Sequence, residues 1–137
     1  MFSVLNRLYL YQKLPATVCA VALFTVPSSA WSTEFTIADD ETETSAQTLA
    51  TGETGTINSG GKLTTSAHAI TASSVSNITV LNNGAITTTG GSHRYGVRSL
   101  SNSGTNTFTN SGTITTSGSW GLGIYSKNNS GTSTILN

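Results

Sequence analysis

Few residues of this chain have the type and spacing for chemistry. Its six acids (Glu34, Asp39, Asp40, Glu41, Glu43 and Glu53) all fall between positions 34 and 53. Asp39, Asp40 and Glu41 are close enough to offer paired carboxylates, but a charge run of this kind reads first as a solvated face. Beyond Glu53 there is no Asp or Glu. That stretch therefore lacks both the carboxylate pair of glycoside hydrolysis and the clustered acidic oxygens of a calcium site. His68 and His93, 25 residues apart with no acid or cysteine beside them, are a poor metal set and read as surface imidazoles. No Ser sits in a nucleophile elbow. Gly90-Gly91 is not followed by the Lys-Ser/Thr of a phosphate loop, so it reads as a corner. No catalytic residue, metal or cofactor is expected, and the chain does not read as an enzyme.

Two groups remain. Lys62, Arg94, Arg98 and Lys127 are the cations after Glu53. Spread over that length they are too sparse for a nucleic-acid footprint and read as solubilising. Tyr95, Trp120 and Tyr125 lie near glycines. They either stack on sugar rings or dock a partner, or else cover a thin apolar edge. Residue types alone do not choose between these, and the ligand is left open.

The elements that must position these groups are set by a repeat. Asn82-Asn83-Gly84-Ala85-Ile86-Thr87-Thr88-Thr89-Gly90 is answered by Asn110-Ser111-Gly112-Thr113-Ile114-Thr115-Thr116-Ser117-Gly118. The offset is 28 at Gly84/Gly112 and falls to 27 at Val97/Ile124 and Phe108/Ile135, so one residue is lost near Ser92–Gly96. Thr56–Thr65 opens a looser copy, giving units 58–81, 82–109 and 110–137. Such a period marks a stacked architecture in which no unit buries its own core. Each unit holds three short bursts rich in Thr, Ile and Val, which is strand chemistry. Asn-Gly, Ser-Gly and Gly-Gly separate them and supply left-handed corners. No apolar pattern of helical period follows residue 53.

The expected fold is all-β: a right-handed parallel β-helix of about three coils of 24–28 residues, rising ~4.8 Å per coil. Leu63 should stack under Ile86 and Ile114, Ile70 under Val97 and Ile124, and Val80 under Phe108 and Ile135. Asn58, Asn82, Asn110 and Asn137 should form an amide ladder at one corner. An antiparallel sandwich or barrel is the alternative, and it predicts no vertical identity. Residues 31–57, which hold the acids, are expected as a leader or N-terminal cap. At Asn137 the pattern breaks off, leaving an edge ready to pair with another chain.

Residues 1–30 have the form of a secretory signal with a helical apolar segment. Arg7 and Lys13 precede the apolar run Leu14–Phe24, Pro27 breaks it, and Ser28-Ser29-Ala30 supplies small residues for cleavage before Trp31. The run is too short for a membrane span, which takes roughly 20 residues. Cys19 is the single cysteine and lies inside that run, so a cleaved chain has no disulfide. Gly, Asn, Ser and Thr fill about half of the 137 positions, and charged residues only 9%. Stability must then come from packing and backbone hydrogen bonds.

The phrase Asn110-Ser111-Gly112-Thr113-Ile114-Thr115-Thr116-Ser117-Gly118-Ser119-Trp120-Gly121-Leu122-Gly123-Ile124-Tyr125-Ser126, followed by Asn128-Asn129-Ser130-Gly131, resembles the passenger-domain repeats of bacterial autotransporters. The resemblance covers about 58–137. It implies export to the periplasm, passage through an outer-membrane barrel made by the C-terminal part of the same polypeptide, and display of a β-helix at the cell surface, commonly as an adhesin. Its implied partners are the export machinery and glycans or proteins of a host or neighbouring cell. No such barrel lies within the 137 residues, so the chain is expected to be an amino-terminal fragment or a truncated frame. Two alternatives stand beside this one. The chain is part of a polysaccharide-active β-helix with catalytic carboxylates beyond residue 137, or it is a small secreted protein that self-associates through its open edge.

Overall fold

A computed structural model describes residues 34–137; the expected signal segment lies outside the described residues. The described residues hold thirteen strands and no helix. They are β1 (Phe35–Ile37), β2 (Thr42–Glu43), β3 (Gln47–Leu49), β4 (Thr54–Ile57), β5 (Lys62–Thr65), β6 (Ile70–Ser73), β7 (Thr79–Asn82), β8 (Ala85–Thr88), β9 (Tyr95–Leu100), β10 (Thr105–Asn110), β11 (Thr113–Thr116), β12 (Leu122–Lys127) and β13 (Thr132–Leu136). Each strand pairs in parallel with the strand three places along the chain, building three sheets ordered β1-β4-β7-β10-β13, β2-β5-β8-β11 and β3-β6-β9-β12. Every third strand returning to the same sheet is the connectivity of a β-solenoid, and the antiparallel alternative is excluded.

The inward columns form as the repeat requires. Leu63, Ile86 and Ile114 are register partners, as are Ile70, Val97 and Ile124, and Val80, Phe108 and Ile135. Burial alternates along β4, β7 and β8, with every second residue inside and Thr among those facing outward. Leu63, Ile70, Ile86, Val97 and Phe108 are all buried, each contributing ~1.5–3 kcal/mol relative to exposure. Exposure rises in the last coil, reaching 49% at Ile135. Coils are also bonded at their corners: Asn83 N–H donates to Ile57 C=O (2.8 Å), Ala85 to Gly61 (3.0 Å) and Thr113 to Gly84 (2.9 Å). The turns therefore satisfy their backbone groups from the neighbouring coil.

The acidic stretch lies in the same stack. Its strands β1, β2 and β3 pair with β4, β5 and β6, making a turn beneath the three repeat units. The lost residue falls where the repeat places it: Thr88/Thr116 pair at an offset of 28 and Tyr95/Leu122 at 27.

Two expectations are corrected. Asn58 does not join the amide ladder. Ile57 is the register partner of Asn82, because the corner from Ile57 to Lys62 is two residues longer than its equivalent from Asn82 to Ala85. The glycines, in turn, serve more for close approach than for handedness. Of the fourteen, Gly52, Gly104 and Gly131 have positive φ. At Gly84 and Gly112 the constraint is the backbone of the coil below, since a Cβ on Gly112 would collide with the Gly84 carbonyl. Seven left-handed positions instead carry side chains: Asp40, Ser74, Asn77, His93, Ser101, Trp120 and Asn128.

Candidate functional site

Two of the three acids weighed as a site accept backbone hydrogen bonds at the corners. Glu41 accepts from the Ala38 amide (2.9 Å) and Asp39 from the Gly60 amide (3.4 Å), while Asp40 sits in the left-handed region at φ 62°. Glu43 accepts from the Ser45 amide at 2.6 Å, and that hydrogen bond holds its carboxyl below the usual range. The buried Glu53 accepts from the Ala50 amide (2.7 Å). These carboxylates cap turns, as short polar side chains do wherever backbone donors are left over.

His68 and His93 do not meet. Each stacks instead on an aromatic ring of the next coil: His68 on Tyr95, with centroids 5.0 Å apart and planes 13° apart, and His93 on Trp120 at 6.4 Å and 9°. Tyr125 lies on Tyr95 at 4.5 Å and 18°. His68, Tyr95 and Tyr125 thus make a continuous column of three rings on the outer surface. Within it the Tyr95 amide donates to His68 Nδ1 at 3.2 Å. A nitrogen that accepts carries no proton, so the imidazole is neutral with its proton on Nε2. Desolvation, then the charges of Arg98 and Arg94, hold the His68 pKa below the ordinary histidine value.

The cations read as scattered are gathered. Arg98 is the register partner of Tyr125, and Leu100 of Lys127. Arg98 and Lys127 therefore stand one rung and two residues apart, roughly 8 Å between Cα atoms. Arg94 precedes β9 on the same face, and its Nε is buried without a hydrogen-bond partner. His68, Arg94, Tyr95, Arg98, Tyr125 and Lys127 line an open depression of about 500 Å³, whose rim includes Ser92 and Asn128. None of the four strands of this sheet, β3, β6, β9 and β12, contains an acid. The fourth late cation, Lys62, is on β5 in a different sheet.

Three cations, two phenols, a neutral imidazole and an amide make a surface that donates hydrogen bonds and attracts anions. The aromatics belong to both of the roles left open above: Tyr95 is packed between two rings, whereas Trp120 is 78% exposed. The sequence signal for this depression was present in the 27-residue offset. Applied to unlike residues, it sets Arg98 against Tyr125 and Leu100 against Lys127. No protein-family model, curated protein or solved structure matches this chain.

Proposed function

We propose that the chain is an exported, surface-displayed segment of an autotransporter-like passenger, acting as an adhesin-like scaffold rather than as an enzyme. The observation that carries this reading is the stack itself. Three parallel sheets stand in strict register over a thin, regular core, and two of them present Thr-rich outer faces, so a repeated polar surface results. A rigid repetitive face binds through many weak contacts whose sum grows with the number engaged. The signal-like first thirty residues and the passenger-like phrase at 110–131 support the same reading.

The test is where the protein resides in its own cells. An antibody raised against residues 58–137 should label intact cells, and external protease should remove that label. Labelling that appears only after permeabilisation would overturn surface display. Loss of cell–surface or cell–cell attachment on deletion of the gene separates an adhesive from a merely displayed product.

A further inference from the structure

We propose that the depression beside the His68–Tyr95–Tyr125 column binds an acidic saccharide, a short glycan segment bearing sulfate or carboxylate groups. The assignment rests on the reading of the chain as a binding scaffold and names the ligand class of its cationic depression.

The charge comes first. Arg94, Arg98 and Lys127 lie on one side of the solenoid, in or beside a sheet with no carboxylate in any strand. All six acids precede residue 54: Glu34 stands just before β1, and the other five lie between β1 and β4. Arginine presents a planar fork suited to sulfate or carboxylate, and lysine adds a point charge. The lowered pKa of His68 has these arginines among its causes, which places their field over the ring column.

The rings and rim then favour a sugar over a nucleic acid. Single-stranded nucleic acids bind through bases laid on open aromatic faces. Here Tyr95 is covered on both sides, by His68 and by Tyr125, so the central ring of the column offers a base no face. What the column offers is phenol hydroxyls, the Nε2–H of His68 and ring edges. Ser92 and Asn128 extend that array at the rim. Hydroxyls and amides in this number match the vicinal hydroxyls of a pyranose. Three rungs of one sheet span ~10 Å, which limits the ligand to a short oligosaccharide segment.

The experiment is titration calorimetry of the purified full chain at low salt with four probes: a heparin-derived oligosaccharide, an oligogalacturonate, a neutral dextran oligomer and oligo-dT. The expected result is saturable binding of one or both acidic saccharides, no binding of dextran, and weaker or no binding of oligo-dT. Binding of the sulfated probe alone identifies sulfate as the recognised group, and binding of the oligogalacturonate alone identifies carboxylate. Arg98→Ala combined with Lys127→Ala should weaken binding at least tenfold, and Tyr125→Ala severalfold. Lys62→Ala should leave it unchanged. If the double variant does not fold by circular dichroism, Arg98→Gln alone is read in its place.

No binding of either acidic saccharide overturns the proposal. So does binding indifferent to Arg98 and Lys127, or tighter binding of oligo-dT. Because the measurement uses purified protein, its failure leaves surface display standing. Failure of the labelling experiment likewise leaves a measured saccharide affinity intact.

Discussion

The side-chain amide of Asn82 donates to Asn110 Oδ1 at 2.7 Å, while its own oxygen is buried with no partner. Asn110 in turn donates to Asn137 at 2.7 Å. The ladder thus has three rungs and starts at Asn82, because Ile57 is the register residue beneath it. An amide ladder works only when each carboxamide is both donor and acceptor, and its lowest member here is half satisfied.

That asymmetry fixes the order of two substitutions. Asn82→Asp replaces a donor with a second acceptor facing Asn110 Oδ1 and the Thr113 carbonyl, both of which now accept from Asn82. It should cost about 3 kcal/mol or more at neutral pH. Asn82→Leu also removes the orphaned oxygen and should cost clearly less. Urea unfolding of both variants decides the point, and equal losses would mean that the ladder contributes nothing beyond its volume.

His68 links the ring column to pH. Its Nδ1 must stay unprotonated to accept from the Tyr95 amide, and burial and the two arginines lower its pKa below 6.5. The unfolded chain therefore binds this proton first as pH falls. The stabilisation is complete above about pH 6.5 and is lost progressively as pH drops from there towards the folded-state value. Melting temperatures measured from pH 7.5 to 5 should decline across that window in the unaltered chain. The decline should be shallower in His68→Gln. An unchanged slope in the variant would assign the titration to another group.

Gly112 and Gly91 look alike in the sequence and differ in the fold. A methyl group on Gly112 would meet the backbone of Gly84 and Asn83, which cannot rotate away, whereas around Gly91 there is open space within 4 Å. Gly112→Ala should cost about 2–3 kcal/mol as overpacking against a fixed wall. Gly91→Ala should fall within about 0.5 kcal/mol of the unaltered chain. Chemical denaturation of the pair is sufficient, and a Gly112→Ala variant of full stability would mean that the coils separate more easily than their register implies.

What could be read from residue types was the part where like stacks on like. Ile86 over Leu63 and Phe108 over Val80 follow from vertical identity, and the all-parallel solenoid follows from them. Asn58 failed because an insertion in a corner changes which residue reaches the ladder without disturbing the apolar columns. Asn102 stands next to a Ser-Gly corner, yet it is fully buried, donating to the Ala72 carbonyl and to Ser99 Oγ. Polar type argues for exposure unless the partners are known. The cationic depression was missed for a related reason. Arg98, Tyr125 and Lys127 are unlike residues at equivalent or neighbouring positions, and vertical identity marks only positions where like stacks on like.

Trp120 combines two unusual features: a left-handed backbone, φ 62°, and 78% exposure. For an L-residue with a bulky side chain that conformation costs roughly 1–2 kcal/mol. Little burial offsets it, since the packing in view is a stack on His93 at 6.4 Å. His93 occupies the equivalent corner one coil earlier with φ 57°, so the turn geometry is imposed by the solenoid and not by the tryptophan. Asn accepts this conformation readily and already does so at Asn77 and Asn128. Trp120→Asn should therefore raise stability by about 0.5–1 kcal/mol, seen as a higher urea midpoint at unchanged slope. A stabilised variant with reduced attachment to cells would mark Trp120 as a contact residue held at the expense of the fold. A destabilised one would show instead that its stack on His93 outweighs the backbone strain.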